Sequence, residues 1–426
     1  MNRTTLLAFI ILLYGLIATP CGAQTTLEVL ENQARTHNPT LLQARAIVRG
    51  EQQKARQAGL WPNPIIGYIG DQFGLDDAAL GEFQGGFIRQ KIITGGKLRL
   101  SKQKYLARAT AAQKEVLAQV LRIINDVRIH YYRTVGARMK VDIQKELLKT
   151  AQDNLVTVKE LFNVGQANRA DLDLAEAMLE EQKLKVLAAE NTLFMERMVL
   201  ESVIGTPIQT SFIGVLPLET ETLSWEASLK EIVYDSPLIE SARHKLQSDV
   251  ITIEREKRQP IPDLTLEGGL GGNPEDKSVV YFASASINLP IFDRNQGTIE
   301  QAKADLARQT GQIELLKLQF KQLLAIQYQQ YLTRKQHIEA FVKTIIPKFQ
   351  SRYVVTLQSY KEDRATWESV LQTQADYFNH RLALVDHQVH YQESVIAIKG
   401  YLLVNGLMAP DGVTPPGHID SVPKPR

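Results

Sequence analysis

Three histidines near the C-terminal end of the chain carry the side chain best suited to metal chemistry. His380, His387 and His390 follow one another at spacings of seven and three residues, which places them on one face of a helix. Neutral imidazole is a common ligand of zinc and copper. The single cysteine, Cys21, lies far away in the sequence, and the residues around the histidines form a mixed helix surface. The pattern favours an ordinary helix face over a defined metal site, so the three histidines are weak metal candidates.

The glycine-rich stretches and the charge balance indicate neither catalysis nor nucleic-acid binding. Gly268-Gly269-Leu270-Gly271-Gly272 and Gly95-Gly96-Lys97 both lack the Lys-Ser/Thr continuation of a phosphate-binding loop. No nucleophile lies beside a base in a triad-like arrangement. The formal charge of +2 provides no basic surface for nucleic acid. We therefore expect no enzyme activity, no cofactor and no nucleic-acid partner.

The N-terminus predicts export from the cytoplasm. Arg3 is followed by an apolar run, Leu6 to Ile17, and then by the small residues that end at Ala23. This order is typical of a signal peptide over residues 1–23. A lipid-modified Cys21 is an alternative that Pro20 makes less favourable. After the signal, no stretch reaches the roughly 20 apolar residues of a membrane helix, so a membrane-crossing chain would have to cross as strands.

The chain repeats one plan twice. His37-Asn38-Pro39 returns as Asp235-Ser236-Pro237, and the two prolines are 198 residues apart. Each copy predicts a helix, a strand pair, a very long helix, a turn and a further helix, which indicates duplication of one unit. The predicted organisation is a first repeat over 24–205, a linker over 206–224, a second repeat over 225–406 and a disordered, proline-rich tail over 407–426.

The helices predicted within each repeat are unusually long. Residues 97–161 contain no proline and show apolar residues at three- and four-residue steps, which predicts a helix of about 65 residues and roughly 97 Å. Residues 297–361 predict its counterpart. Residues 25–58 and 171–204 predict two helices of about 34 residues, which stacked end to end would match the long one. Such lengths are typical of coiled coils or helical arrays.

Four segments have the length and alternation of strands. The clearest is residues 279–289, where Tyr281, Ala283, Ala285 and Ile287 share one face. Residues 65–73, 83–93 and 263–270 are the others. The pattern fits a transmembrane strand as well as a small soluble sheet. Because four strands cannot close in lipid, a membrane sheet would need several chains, and three chains would supply twelve strands.

Taken together, these segments resemble the TolC-like outer-membrane efflux factors over the mature chain up to about Gly406. The sequences around Trp61 and Phe292 are most similar to those of the heavy-metal (cobalt–zinc–cadmium type) branch. The motifs that carry the resemblance are His37-Asn38-Pro39, Ala58-Gly59-Leu60-Trp61-Pro62-Asn63-Pro64, Gln90 with Thr94-Gly95-Gly96-Lys97, Phe162-Asn163-Val164-Gly165 with Asp171, Leu289-Pro290-Ile291-Phe292-Asp293-Arg294-Asn295-Gln296-Gly297, and Ser359-Tyr360 with Val370-Leu371.

The resemblance implies a mainly α fold in which a long α-helical barrel is joined to four transmembrane strands per chain, as a homotrimer with a 12-strand barrel in outer-membrane lipid. It implies a passive, gated exit duct that works with a periplasmic adaptor protein and an inner-membrane resistance–nodulation–division transporter. The cargo would be heavy-metal cations or small toxic compounds. A non-pore periplasmic coiled-coil scaffold or adaptor is the alternative function.

The resemblance also implies functional residues at the helix–turn–helix corners. Asp171 and Tyr360 match the family's gate network, although Asp171 also suits an ordinary helix cap. The family's second-half aspartates correspond here to Ser369 and Gln372, so other acids are the substitutes. The candidate gate residues are therefore Asp171, Tyr360, Asp173, Asp363 and Glu368, and the candidate adaptor contacts are Gly165, Gln166, Ala167, Arg364 and Ala365.

Overall fold

The structure is a computed structural model that describes residues 26–71, 83–208, 214–217, 220–273, 277–362 and 364–408. The described chain is mainly helical and carries one small antiparallel sheet, which confirms the predicted fold class. The signal peptide with Cys21, the candidate gate residue Asp363 and nearly all of the C-terminal tail lie outside the described residues.

The first half of the chain follows the predicted order, with small differences at the ends of elements. A break at Asn38 divides its first helix, and the Nδ2 atom of Asn38 donates a hydrogen bond of 2.8 Å to the carbonyl of Val203. Its elements are α1 (Leu27–His37), α2 (Pro39–Ala58), β1 (Ile65–Asp71), β2 (Phe83–Ile92), α3 (Lys97–Asn163) and α4 (Arg169–Ile204).

The second half repeats this order, and several helix ends keep the 198-residue shift. Leu27 corresponds to Trp225 and Arg169 to Trp367, and each of these is the first residue of a helix. His37 corresponds to Asp235, and each of these is the last residue of a helix. Its elements are α5 (Trp225–Asp235), α6 (Pro237–Arg258), β3 (Leu264–Gly272), β4 (Val279–Ile287), α7 (Gln296–Ala340), a π-helical turn (Phe341–Ile345), α8 (Ile346–Lys361) and α9 (Trp367–Lys399).

The π-helical turn corrects the prediction of one uninterrupted helix over 297–361. Pro347 lacks a backbone N–H and cannot bond to the carbonyl of Lys343, and its ring crowds that carbonyl. The helix widens to a π-helical turn just before Pro347. There the N–H of Ile346 donates a hydrogen bond to the carbonyl of Phe341, five residues earlier in the chain. Proline explains why α7 and α8 are two helices where the first half has the single helix α3.

The four strands form one antiparallel sheet in the order β1-β2-β3-β4, so β2 and β3 join the two halves of the chain. The register places Tyr68 opposite Gly86, Gly86 opposite Leu270, and Leu270 opposite Tyr281. One face of the sheet is consequently lined with exposed apolar side chains, namely Ile66, Tyr68, Ile88, Leu266, Leu270, Val279, Tyr281 and Ile287.

The opposite face of the same sheet is mixed in character. Arg89 and Glu267, which are register partners on β2 and β3, form an ion pair of 2.5 Å there. Ser284 and Ser286 of β4 lie on this face, opposite Glu267 and Thr265. The alternation predicted for residues 279–289 is thus a property of the whole sheet.

Two compact units divide the described chain, and each has its own core. Among the described residues, the unit with the sheet comprises those of Thr40–Gln119 and Leu229–Gln322 with Met408, and in it α3 packs on α2 through Ala111 and Ala112. The other unit comprises the described residues of 26–39, Val120–Ser228 and Leu323–Leu407. No helix among the described residues is both long and apolar enough to cross a bilayer.

In the second unit, tyrosines hold the described end of the inter-repeat linker. Tyr331 donates a hydrogen bond of 2.8 Å to the carbonyl of Glu221 and accepts one of 2.9 Å from the N–H of Leu223. Tyr391 accepts a hydrogen bond of 2.7 Å from the N–H of Glu221. Burial raises the pKa of Tyr391 to about 12, so the phenol stays protonated at physiological pH.

Candidate functional site

The first helix–turn–helix corner joins α3 to α4 through five residues. The N–H groups of Gln166 and Ala167 donate to the carbonyl of Leu161 at 2.8 and 3.2 Å, which closes the end of α3. Gly165 sits at φ 75°, in the left-handed region that favours glycine. These three predicted adaptor-contact residues therefore form one tight turn.

The second corner joins α8 to α9, also through five residues. The N–H of Arg364 donates to the carbonyl of Ser359 at 2.8 Å, and the Arg364 side chain forms an ion pair with Glu362. Thr366 then caps α9, since its hydroxyl accepts a hydrogen bond from the N–H of Ser369. Arg364 and Ala365, the other predicted adaptor contacts, lie in this turn.

The acidic candidates of the first corner interact with their own helix. Asp171 and Asn168 form a reciprocal capping box: the Asp171 N–H donates to Asn168 Oδ1 at 2.8 Å, and the Asn168 N–H donates to Asp171 Oδ2 at 3.2 Å. Asp173 pairs with Arg169 at 2.8 Å, one turn away. The capping alternative for Asp171 is therefore present in the structure, and Asp171 is partly exposed at the corner.

The second-half candidates Tyr360 and Glu368 lie beside Trp367, a residue that the sequence did not predict as part of the site. The ring of Tyr360 lies 5.1 Å from that of Trp367, centroid to centroid. Glu368 follows in the first turn of α9, where a carboxylate is favoured by the helix dipole. Trp367 packs in turn on a cluster of Val158, Leu172 and Ala175 from the first hairpin. Tyr360 and the first corner are thus brought together through Trp367.

The three candidate histidines are placed in different surroundings. His380 packs between Phe341 and Phe349, with centroid distances of 5.8 and 4.1 Å. His390 lies 2.9 Å from Glu393. Within the described part of the chain, no group of three or more His, Cys, Asp or Glu side chains is arranged to hold a metal ion.

His387 has the most distinctive surroundings of the three. Its ring meets that of His337 at 4.6 Å, and its Nδ1 atom lies 2.9 Å from Nη1 of Arg334. Burial, followed by the charges of His337 and Arg334, lowers the pKa of His387 to about 4. A neutral ring accepts the Arg334 hydrogen bond at Nδ1, so this lone pair is engaged by the arginine.

A cluster of ionisable side chains that the sequence did not predict lies between α3, α4 and α9. His130 Nδ1 is buried 3.8 Å from Oε2 of Glu196, and Arg133 forms an ion pair of 2.5 Å with Glu393. Burial and Arg133 lower the pKa of His130 to about 4, whereas burial raises the pKa of Glu196. Both pKa shifts favour the neutral forms of His130 and Glu196.

Comparison with known proteins agrees with this arrangement. Residues 30–206 match the family model described as outer membrane efflux protein. A structure of CusC, from work on its folding and transmembrane channel formation, superposes with a TM-score of 0.74 at 17% identity and covers 90% of this chain and 93% of that one. The predicted resemblance to outer-membrane efflux proteins is therefore confirmed, by the family model over residues 30–206 and by the fold over nine tenths of the chain. The predicted outer-membrane location is confirmed with it.

Curated relatives of this efflux protein include two metal-resistance proteins. The cobalt-zinc-cadmium resistance protein CzcC of Cupriavidus metallidurans is 26% identical over 65% of this chain and 65% of its own length. The nickel-cobalt-cadmium resistance protein NccC of Alcaligenes xylosoxydans xylosoxydans is 20% identical over 68% of this chain and 67% of its own. The match therefore spans about two thirds of these relatives. The family is one of channel or duct proteins.

Proposed function

We propose that this efflux protein is the passive, gated exit duct of a tripartite pump and assembles as a homotrimer. The observation that carries the proposal is the fold shared with CusC across nine tenths of the chain. Proteins of this family work with periplasmic adaptors and inner-membrane resistance–nodulation–division transporters. Those two partners are proposed here as well.

The sheet supports assembly from several chains. β1 and β4 are the two edges of the four-stranded sheet that the described residues form. An open strand edge in lipid leaves N–H and C=O groups without partners, at a cost of several kcal/mol each. Three chains would supply twelve strands and close the sheet, a number within the range of outer-membrane proteins.

The exposed apolar face of the sheet supports contact with lipid. Leu270 and Tyr281 are register partners, Tyr68 lies in the same row across Gly86, and all three apolar side chains are more than half exposed in the single chain. A soluble scaffold would expose this whole row to water, where large apolar patches are uncommon. The row therefore favours a membrane duct over the periplasmic scaffold.

The two corners are the proposed gate and adaptor-contact region. Asp171, Asp173, Tyr360 and Glu368 lie at or beside the corner turns, and their side chains can bond to neighbouring helices of a trimer. The proposed adaptor contacts are the turn residues themselves, namely Gly165, Gln166, Ala167, Arg364 and Ala365.

The proposed cargo is a heavy-metal cation. The names of CzcC and NccC connect relatives of this chain with cobalt, zinc, nickel and cadmium resistance. A duct needs no tight metal site, because a cation held strongly in the passage would leave slowly. His380, His387 and His390 remain weak metal candidates.

A deletion strain tests the cargo assignment. We expect loss of the gene to lower the inhibitory concentrations of cobalt, zinc or cadmium, and the wild-type gene to restore them. The matched control is a chain with Leu270→Arg on the apolar sheet face, which should be made but fail to restore resistance. If metal tolerance is unchanged and sensitivity to small organic toxicants increases, the cargo is small toxic compounds and the metal assignment is wrong.

A further inference from the structure

Trp367 is the first residue of α9 and so belongs to the second helical hairpin, formed by α8 and α9. It also contacts the first helical hairpin, formed by α3 and α4. Its ring stands at 50° to the ring of Tyr360, with the centroids 5.1 Å apart. The same side chain packs on the cluster formed by Val158 of α3 and by Leu172 and Ala175 of α4. One side chain therefore connects the second corner with the apolar core of the first.

Hydrogen bonding opposes this position of the indole ring. Its Nε1 atom is buried and has no hydrogen-bond partner among the described residues. A buried donor without an acceptor is less favourable than the same donor in water. Apolar packing holds the ring inward, and an outward movement would give the N–H a water partner.

The packing behind the ring is also incomplete. A partly open cleft of about 90 Å³ lies between the three helices here, lined by apolar residues that include Trp367 and Leu371 and by the polar and charged residues Glu181, Gln182 and Lys185. A gap beside a side chain removes van der Waals contacts that would resist movement of that side chain. The ring can therefore leave its place without disrupting a fully packed core.

The repeat shows that this connection exists in one half of the chain. The residue that corresponds to Trp367 under the 198-residue shift is Arg169, the first residue of α4. Arg169 is exposed and pairs with Asp173 one turn away. The two hairpins are thus joined by a ring that only the second corner provides at this position.

We propose that Trp367 holds the two hairpins of one chain together at their corner ends, and that its release from the Val158–Leu172–Ala175 cluster accompanies opening of the duct. Trp367 is a positioning residue, because it acts on the candidate gate residue Tyr360 and on the first corner. The inference rests on the proposed function as a gated duct.

Two substitutions separate apolar contact from hydrogen bonding. Trp367→Ala removes the ring and should raise the open probability in planar bilayers on the order of tenfold. Trp367→Phe keeps an apolar ring and removes the unpartnered N–H, so its open probability should equal or fall below that of the wild type. Trp61→Phe, at an exposed tryptophan in the other unit, is the matched control and should change nothing.

Hydrogen exchange in the purified full-length trimer gives a readout that does not need current. Amides of residues 155–175 should exchange at least tenfold faster in Trp367→Ala than in Trp367→Phe, because the cluster loses its cover. Equal exchange in the two variants would overturn the inference, whatever the conductance. If Trp367→Ala does not fold, Trp367→Leu takes its place.

The two proposals fail in different ways. If Asp171→Ala or Tyr360→Phe opens the channel while Trp367→Ala leaves both current and exchange at wild-type values, the role of Trp367 is wrong and the gated duct stands. If folded trimers of every variant carry no current, the duct is wrong, and the exchange rates alone decide whether Trp367 joins the hairpins.

Discussion

Asp171 caps a helix and is also a proposed gate residue. Its bonds with Asn168 satisfy two N–H groups at the start of α4. Asp171 is partly exposed, and its Oδ2 atom accepts one hydrogen bond within the capping box. A second helix that approaches this corner would meet a carboxylate already fixed in direction, which lowers the entropic cost of a cross-helix bond.

Comparing the two partners of the capping box separates these roles. Asn168→Ala and Asp171→Ala should each destabilise the start of α4 by about 1 kcal/mol, since each removes one half of the box. Only Asp171→Ala should also increase channel opening, because it alone removes the proposed gate carboxylate. Thermal unfolding and bilayer conductance measure the two effects. Equal channel opening in both variants would show that Asp171 acts only as a helix cap and has no separate gate role.

His387 predicts a pH dependence with a definite sign. Its pKa in the folded chain is about 4, below the ordinary value of 6.5, so the unfolded chain takes up a proton first as pH falls. The stabilising contribution is complete above pH 6.5 and is lost between 6.5 and about 4. With solvent screening of this half-buried ring, the loss is about 1–2 kcal/mol per chain.

His387→Gln tests this prediction, because the glutamine oxygen can still accept the Arg334 hydrogen bond. The groups around the ring are Arg334 and His337 from α7 and Asp386 and His390 from α9. The variant should unfold with a smaller fall in midpoint between pH 7 and pH 4.5 than the wild type. The control His390→Gln, at an exposed ring, should keep the wild-type fall. Identical pH profiles for all three chains would contradict the assignment to His387.

At the scale of elements, the sheet presents two faces with different tolerance for charge. Tyr281 lies on the apolar face beside Leu270, while Ser284 lies on the other face opposite Glu267. Tyr281→Lys should cost about 2–4 kcal/mol if it lies near the bilayer midplane, whereas Ser284→Lys gains an acidic neighbour. The amount of heat-sensitive trimer recovered from outer membranes measures the difference. Equal recovery would argue against lipid on the Tyr281 face.

The long helix, the corners and the strand segments could be predicted from the sequence because each depends on local pattern. Residues 97–161 lack proline and keep a helical apolar period, and the observed helix is Lys97–Asn163. The first-half strands alternate poorly when read alone. Their apolar residues Ile66 and Ile88 join the exposed face only through the register with β3, and register is not a local property.

The site was predicted less completely because its contacts cross between helices. His337 lies 50 residues before His387 in the chain, so the ring pair depends on how α7 packs against α9. Trp367 could have been noticed as a tryptophan beside a corner, but its contact with Leu172 needs the two hairpins to be packed. Pro347 was a local signal of the π-helical turn that the helical period concealed.

At the scale of the whole molecule, the duplicated chain leaves apolar surface that it does not cover. On α4, residues spaced by three and four positions are exposed in the single chain, namely Leu184, Leu187, Phe194, Met195 and Met198. A helix with this pattern normally packs on a partner. Together with the open edges of the sheet, the stripe supports the proposal that several copies of the chain assemble into one duct.

Conductance of the purified full-length trimer in planar bilayers tests the central claim most directly. We predict discrete current steps from the wild-type chain, with a higher open probability after Asp171→Ala or Tyr360→Phe loosens the corners. Membrane-inserted, correctly folded trimers that pass no ion current in the wild type and in both variants would contradict the claim that this chain forms a gated duct.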